Sequence, residues 1–377
     1  MVGAGIAGLT AGLHLAERGL STVILEADEH YVGGRLAGGQ RVDFDGFTFR
    51  SEHGVHGIWN SYVNLKAMLA RLEIAPDFTP SREEVWMYRS ASKVKRADVG
   101  SALHRGLLPP PLHYLNLLLR PGFLRMLDLR DWASLLVVWL GLMWGLGVDP
   151  MAEGQPLQGM TLDDLTRYWS PKARALFVGL ARNGLSSSPK EIPLSGFIAF
   201  MRFYSLLRRD AWKFDFMASD GGTSVCEPLA EQVRERGAKI VMAARVINLE
   251  QDRAGGWAVN YQQAGEPAFI NTKQIVLALD VNNCKKVLTA SPDLSGSDAV
   301  YWPRAVETAV IRVWFGRQPN PMADSGILTG DFVLHNFFWL DRIYDDYRAW
   351  SDATGGSVVE VHIYNPAELG TFRMKSC

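Results

Sequence analysis

Three glycines near the start of the chain have the spacing that a dinucleotide phosphate requires. Val2 to Gly8 reads VGAGIAG, which sets Gly3, Gly5 and Gly8 in a G-x-G-x-x-G order. The first glycine permits a tight turn out of a strand. The second lets backbone approach a pyrophosphate, and the third lets helix and strand pack closely. Ala4, Ile6 and Ala7 complete the turn. Glu26 stands at the end of the next apolar segment, where a carboxylate can accept hydrogen bonds from ribose hydroxyls. The bland alternative is a glycine-rich loop with Glu26 as a solvated acid. A second pair, Gly33 and Gly34, is followed by Arg35, whose fork of donors can reach a phosphate; the alternative is a surface arginine after a turn.

The elements around these residues fall in the order that such a site needs. Residues 6–18 read as a helix, with Ala7, Ala11 and Ala16 favouring it, Leu9 and Leu13 on one stripe and Gly19 ending it. Its N-terminus would aim backbone N–H groups and a partial positive charge at phosphate. Residues 22–25 are a short strand. Only Met1 and Val2 precede Gly3, so the chain is expected to begin inside its own first strand.

Composition narrows the function class. A chain of 377 residues suggests two intertwined lobes, and 47% hydrophobic with 21% charged residues is ordinary for a globular protein. A net charge of -1 gives no footprint for nucleic acid. Cys226, Cys284 and Cys377 form no CxxC pair, so neither a disulfide framework nor a zinc site is indicated, and a reducing compartment follows. His53 and His56 lie three apart without a third ligand of matching spacing, so no metal site is expected.

Further along, residues 41–49 alternate as a hairpin turning at Asp45-Gly46, and residues 61–71 read as a helix capped by Asn60 or Ser61. Between about 76 and 215 the nucleotide-fold pattern vanishes. The leucine-rich middle carries Arg105, Arg120, Arg125 and Arg130 at its flanks, and its uncharged run 132–148 is short and interrupted by glycine. A buried helix over a substrate tunnel, an interfacial surface dipping into a bilayer and a true span are the readings open for it. Residues 162–168 and 171–180 are expected as helices capped by Thr161 and Ser170. The aromatic and methionine-rich stretch 193–206 is expected in a core. Gly221-Gly222 precedes a helical run ended by Gly237. Strands are expected at 239–242, 245–249, 257–261 and 274–279, the last buried on both faces, and a helix at 281–288. Strands at 305–315, 331–340 and 357–364 would floor a long substrate.

VGAGIAGL, VILEA and GGR together resemble the superfamily of FAD-dependent amine oxidases and carotenoid desaturases. The stretch SEHGVHGIWNSYVNL resembles the plant- and cyanobacterial-type carotenoid desaturases within it. The resemblance implies an α/β fold, a Rossmann-like FAD-binding domain with an inserted α+β substrate domain. The domains expected are 1–75 (FAD-binding, first part), 76–215 (substrate and membrane-facing, mainly helical), 216–290 (FAD-binding, return) and 291–377 (strand-rich substrate part). It implies FAD held by Gly3, Ala4, Gly5, Ile6, Ala7, Gly8, Glu26, Gly33, Gly34, Arg35, His53, Gly54 and Val246, with the Val246 backbone on the adenine. By position, Glu52, His53, Gly54, Val55 and His56 would run beside the flavin ring, which makes Glu52, His53 and His56 the candidates for a catalytic group; a hydrogen bond from His56 to loop backbone is the structural alternative. The activity implied is desaturation of a long isoprenoid such as a carotene or a squalene derivative by hydride transfer to flavin. The expected partners are a quinone or oxygen as electron acceptor and a membrane surface touched peripherally by a cytoplasmic protein. Amine and protoporphyrinogen oxidases share every FAD residue and are the rival reading, with a non-catalytic lipid-binding relative as a third. The superfamily's C-terminal FAD segment finds no match here, so a fragment of a longer protein is expected.

Overall fold

The computed structural model describes residues 1–39, 41–100, 107–152, 157–251, 255–291, 293–294, 300–320 and 323–366. The chain divides into two units. One is built from residues 1–56, 65–77 and 217–305, the other from 57–64, 78–216 and 306–377.

In the first unit, helix Ile6–Glu17 and strand Val23–Leu25 follow the glycine turn, and Val23–Leu25 pairs in parallel with Lys239–Val241. Val2 bridges in parallel to Leu25 on one side and Leu277 on the other. Leu9 and Leu13 from the first helix meet Leu229 and Val233 from helix Glu227–Glu235, with Ile24 between, all fully buried. Each such side chain contributes roughly 1.5–3 kcal/mol. Ala244–Gln251, Trp257–Gln263 and Glu266–Thr272 form an antiparallel meander. The hairpin Arg41–Phe44 and Phe47–Arg50 turns through Asp45 (φ 51°) and Gly46 (φ 79°), both left-handed as a two-residue hairpin turn demands.

One expectation in this unit is corrected, and one strand was not foreseen. Residues 274–279 form no strand buried on both faces: Leu277 makes a single bridge, and Val276 is half exposed. Their pairing is confined to Val2, whose amide and carbonyl bond the Val276 carbonyl and Ala278 amide. The third strand of the meander is Glu266–Thr272, which sequence reading missed because neither of its faces is fully buried.

The second unit is built on a six-stranded sheet. Its order is Thr308–Phe315, Ser357–Tyr364, Asn336–Trp339, Ser325–Gly330, Glu84–Ser90 and Lys93–Asp98. Ser325–Gly330 runs parallel to Glu84–Ser90, and the other neighbours are antiparallel. The stretch expected to be mainly helical therefore supplies two strands of this sheet. Instead of one strand over 331–340 there are the two shorter strands Ser325–Gly330 and Asn336–Trp339, and helix Asp345–Thr354 was not foreseen. Ser357–Tyr364 forms as expected, with every residue buried.

The helices of this unit are set by their caps. Ser170 and Thr161 each accept an amide bond at the third helical residue, starting Pro171–Leu185 and Leu162–Thr166. Asp128 and Asp131 form a reciprocal capping box at the head of Leu129–Gly147, and Lys172 bonds both carboxylates at 2.6 and 2.8 Å, pulling Asp128 down to about 2. From this cap the helix runs unbroken through Gly141 and Gly145 for 19 residues, which corrects the expectation of a glycine-interrupted segment. It is long and apolar enough to cross a membrane by length and composition, and only 17% of it is buried. Helix 61–71 starts late, at Val63, because Ser61 gives its hydroxyl to the Phe203 carbonyl.

Candidate functional site

The glycine turn is fixed from both sides. Gly3 adopts φ 96° and donates to the Leu25 carbonyl at 2.8 Å, and a Cβ there would lie 2.6 Å from the Ala278 oxygen. A Cβ on Gly8 would overlap the carbonyl oxygen of Gly3, so helix and turn touch backbone to backbone. Gly5 differs: it has ordinary φ, and nothing lies within 4 Å of where its Cβ would be. It caps the helix without any side-chain bond, and no acid stands in the first turn. Open space thus faces the unpaired N–H groups at the head of the helix, the arrangement that takes a phosphate.

Glu26 and the second glycine pair are stitched to this turn. One Glu26 oxygen accepts from the Ala4 amide at 2.7 Å and the other from Asp28 at 2.9 Å. A carboxylate has further lone pairs for a ribose. The Glu26 carbonyl accepts from Ala244 at 2.7 Å, which sets the strand carrying Val246 beside it. That strand bulges at Ile247, between Val246 and Asn248. Gly33, at φ 106°, donates to the Ala4 carbonyl at 2.7 Å, and a Cβ there would strike Cys226. Gly34 lies 3.4 Å from the Gly5 Cα at its own Cβ position. Arg35 is exposed and has no hydrogen bond or ion pair among the described residues.

The histidine stretch is more mixed. Glu52 is buried; it accepts from the Gly221 amide at 2.9 Å and lies 3.6 Å from His56 Nδ1. The bond from Gly221 ties it to the Gly221-Gly222 pair. Gly54 is buried at φ 140°, which a side chain would not tolerate, whereas His53 is exposed. No group of three His, Cys, Asp or Glu gathers among the described residues.

Sequence reasoning missed the ion pairs that hold this unit together. Arg50 bonds Asp220 at 2.7 Å and Glu227 at 2.8 Å, with its guanidinium 4.6 Å from the Tyr31 ring centre. The signal available was an arginine closing the hairpin and an acid before Gly221.

The second unit contains a cavity of about 370 Å³ walled almost wholly by apolar side chains, including Trp86, Tyr114, Phe123, Trp132, Trp139 and Trp212. Among the described residues its one acid is Glu84, which accepts from Trp212 Nε1 at 2.9 Å and Ser81 Oγ at 3.3 Å; burial pushes its carboxyl up to about 7.

A family model described as an NAD(P)-binding Rossmann-like domain matches residues 1–72, the segment with both glycine pairs and Glu26. Along almost the whole chain, 97%, it is 26% identical to a carotenoid phi-ring synthase of Streptomyces griseus, spanning 69% of that protein. Over 98% it is 21% identical to a 15-cis-phytoene desaturase of Narcissus pseudonarcissus, spanning 65% of it. The chain thus spans about two thirds of the length of these relatives. A putrescine oxidase solved with putrescine shares the fold at a TM-score of 0.71 and 14% identity, covering 100% of this chain and 77% of its own. The chain is thus similar in sequence to carotenoid-modifying proteins along almost its whole length, and in fold to an amine oxidase. An oxidoreductase from Methanosarcina mazei is similar in fold too, at a TM-score of 0.63 and 13% identity over 96% of this chain and 78% of that one. The Rossmann-like α/β fold that the resemblance implied is the one found, and these relatives and structural neighbours are of the oxidoreductase type.

Proposed function

We propose that the chain binds FAD at the N-terminal glycine turn and desaturates a long isoprenoid such as a carotene or a squalene derivative. The observation that carries this reading is the cavity of about 370 Å³ whose wall is aromatic and aliphatic with a single carboxyl. A hydrocarbon gains by entering such a space, whereas a cationic amine would lose its hydration for one partner. The names of a carotenoid phi-ring synthase and a phytoene desaturase among the relatives point the same way.

The open face at Gly5 and the uncapped N–H groups of Ile6, Ala7 and Gly8 fit a pyrophosphate, and Glu26 fits a ribose. Arg35 with Gly33 and Gly34 fits a second contact to phosphate, and the Val246 backbone an adenine. FAD, when bound, supplies acceptance of a hydride from an allylic carbon. The protein's part is to grip the diphosphate, hold the chain of the substrate and exclude water. Proton loss next to an allylic cation is easy and needs no strong base. Gly54 with its exposed neighbour His53, and Glu52 and His56 with them, are placed beside the flavin ring in this proposal; Glu52 would act there through the Gly221 amide it holds.

Peripheral membrane contact by a cytoplasmic enzyme belongs to the same proposal. Leu129, Val137 and Leu140 are 88%, 59% and 63% exposed on helix Leu129–Gly147, and Arg120, Arg125 and Arg130 lie near its head at headgroup reach. The substrate is lipid-soluble, and a quinone in the same bilayer, or oxygen, would take the electrons.

The test is colour and bleaching. The purified full-length protein supplemented with FAD is expected to turn yellow and to bleach anaerobically with an acyclic carotene in vesicles. Bleaching with putrescine or protoporphyrinogen alone would replace the isoprenoid with those substrates. A colourless preparation would support the lipid-binding relative.

A further inference from the structure

The second unit holds another cavity, of about 530 Å³, which shares no lining residue with the apolar one. Arg167, Arg174, Arg182 and His335 stand on its wall with Asp331. His335 is 7% exposed, and its two ring nitrogens meet two donors. Nδ1 lies 2.9 Å from the Tyr364 amide, which can only donate. Nε2 lies 3.0 Å from Arg182 Nη1, which also can only donate.

A neutral imidazole has one acceptor nitrogen. If Nδ1 accepts from Tyr364, Nε2 carries the proton and points it at the Arg182 N–H. If the proton sits on Nδ1, the clash moves to the buried Tyr364 amide, where no other group can relieve it. Protonating both nitrogens makes two clashes, and burial beside Arg182 opposes it, holding the ring down to about 4. The first arrangement is the one the cavity can satisfy, because an acceptor seated there receives from His335 and Arg182 together. Arg174 and Arg167 give one nitrogen each to Asp163 and Asp164, and each guanidinium carries further N–H groups. Asp331 spends Oδ2 on the Ala91 amide at 2.6 Å and limits how much negative charge the site accepts.

We infer that this cavity binds a small molecule through a phosphoryl or carboxyl oxyanion held between Arg182 and His335, with Arg174 as a further donor to it from the same wall. The inference does not rest on the FAD reading, since no flavin residue takes part.

The test uses the full chain. Inorganic phosphate and succinate are titrated separately at constant ionic strength while heat is recorded. Saturable binding of at least one is expected, and the stronger of the two tells a phosphoryl ligand from a carboxyl one. Arg174→Gln should weaken that binding about tenfold, the loss of one charge-assisted bond. Arg234→Gln, an exposed arginine off this wall, should leave it unchanged. His335→Gln should weaken it as well. Because His335 is buried and its variant can fail to fold, Arg174→Gln, with an unchanged melting curve, carries the decision. No saturable heat with either probe, or equal affinity in Arg174→Gln, overturns the site.

Discussion

Arg50 and Asp220 lie 170 positions apart in the chain, and their side chains meet at 2.7 Å, each largely withdrawn from solvent. The pair fastens the hairpin that ends at Arg50 to the Gly221-Gly222 turn, and Glu227 takes the other guanidinium nitrogen. Replacing Arg50 by Met strands two carboxylates. Arg50→Met should cost about 2–3 kcal/mol, below the full penalty for a buried pair because Glu227 is partly exposed. Urea unfolding followed by tryptophan fluorescence measures it, and a loss under about 0.5 kcal/mol would show the pair to be incidental.

Two glycines of the first turn should separate folding from cofactor binding. Gly5→Ala meets open space and ordinary φ, so its melting temperature should stay within a degree or two of the parent, yet its methyl enters the phosphate space. FAD affinity should fall by about tenfold or more, read by quenching of flavin fluorescence. Gly8→Ala drives a methyl into the Gly3 carbonyl and should lower both stability and affinity. Unchanged FAD affinity in Gly5→Ala would move the cofactor elsewhere.

Glu84 gives the fold a pH slope of definite sign. Its folded carboxyl is raised to about 7 from an ordinary 4.5, so the native state keeps a proton that the unfolded chain has released. Stability from this group is full below about pH 4.5 and is lost as pH rises towards 7. Glu84→Gln keeps an oxygen for Trp212 without the charge. Relative to the parent it should be near neutral at pH 4.5 and up to about 3 kcal/mol more stable above pH 7, by chemical unfolding across that range. A pH-independent difference would contradict the assignment.

The exposed face of Leu129–Gly147 makes the membrane proposal measurable. Val137→Asp with Leu140→Asp changes two outward residues and should leave the melting temperature unchanged. Co-sedimentation with anionic vesicles should drop several-fold. Equal sedimentation would leave that face without a role at a bilayer.

What was legible in the sequence was mostly local. The glycine turn, the Asp45-Gly46 hairpin and the caps at Thr161 and Ser170 each depend on residues within a few positions, and they form as read. Glu26 stands directly after the short strand, as read, because that strand determines where it ends. Partnerships across the chain were not legible. Glu84–Ser90 looks like a surface segment until Ser325–Gly330 runs beside it, and the contact between Glu52 and Gly221 joins residues 169 apart. Residues 274–279 have the composition of a central strand, but burial depends on what lies alongside, and among the described residues only Val2 pairs with them backbone to backbone. The glycines in Leu129–Gly147 were misread as breaks, whereas a glycine inside a helix costs only about 1 kcal/mol and the helix continues through both Gly141 and Gly145.

The parallel pairing of Glu84–Ser90 with Ser325–Gly330 also bears on how the protein is made. On the ribosome, the early strand emerges long before its neighbour and has only Lys93–Asp98 to pair with until most of the chain has been synthesised. Through that interval its open edge is a template for other chains, and closure of the sheet awaits a contact of very high sequence separation, the slow kind. Expression at reduced temperature or with a holdase chaperone should therefore raise the soluble yield more than any surface substitution does.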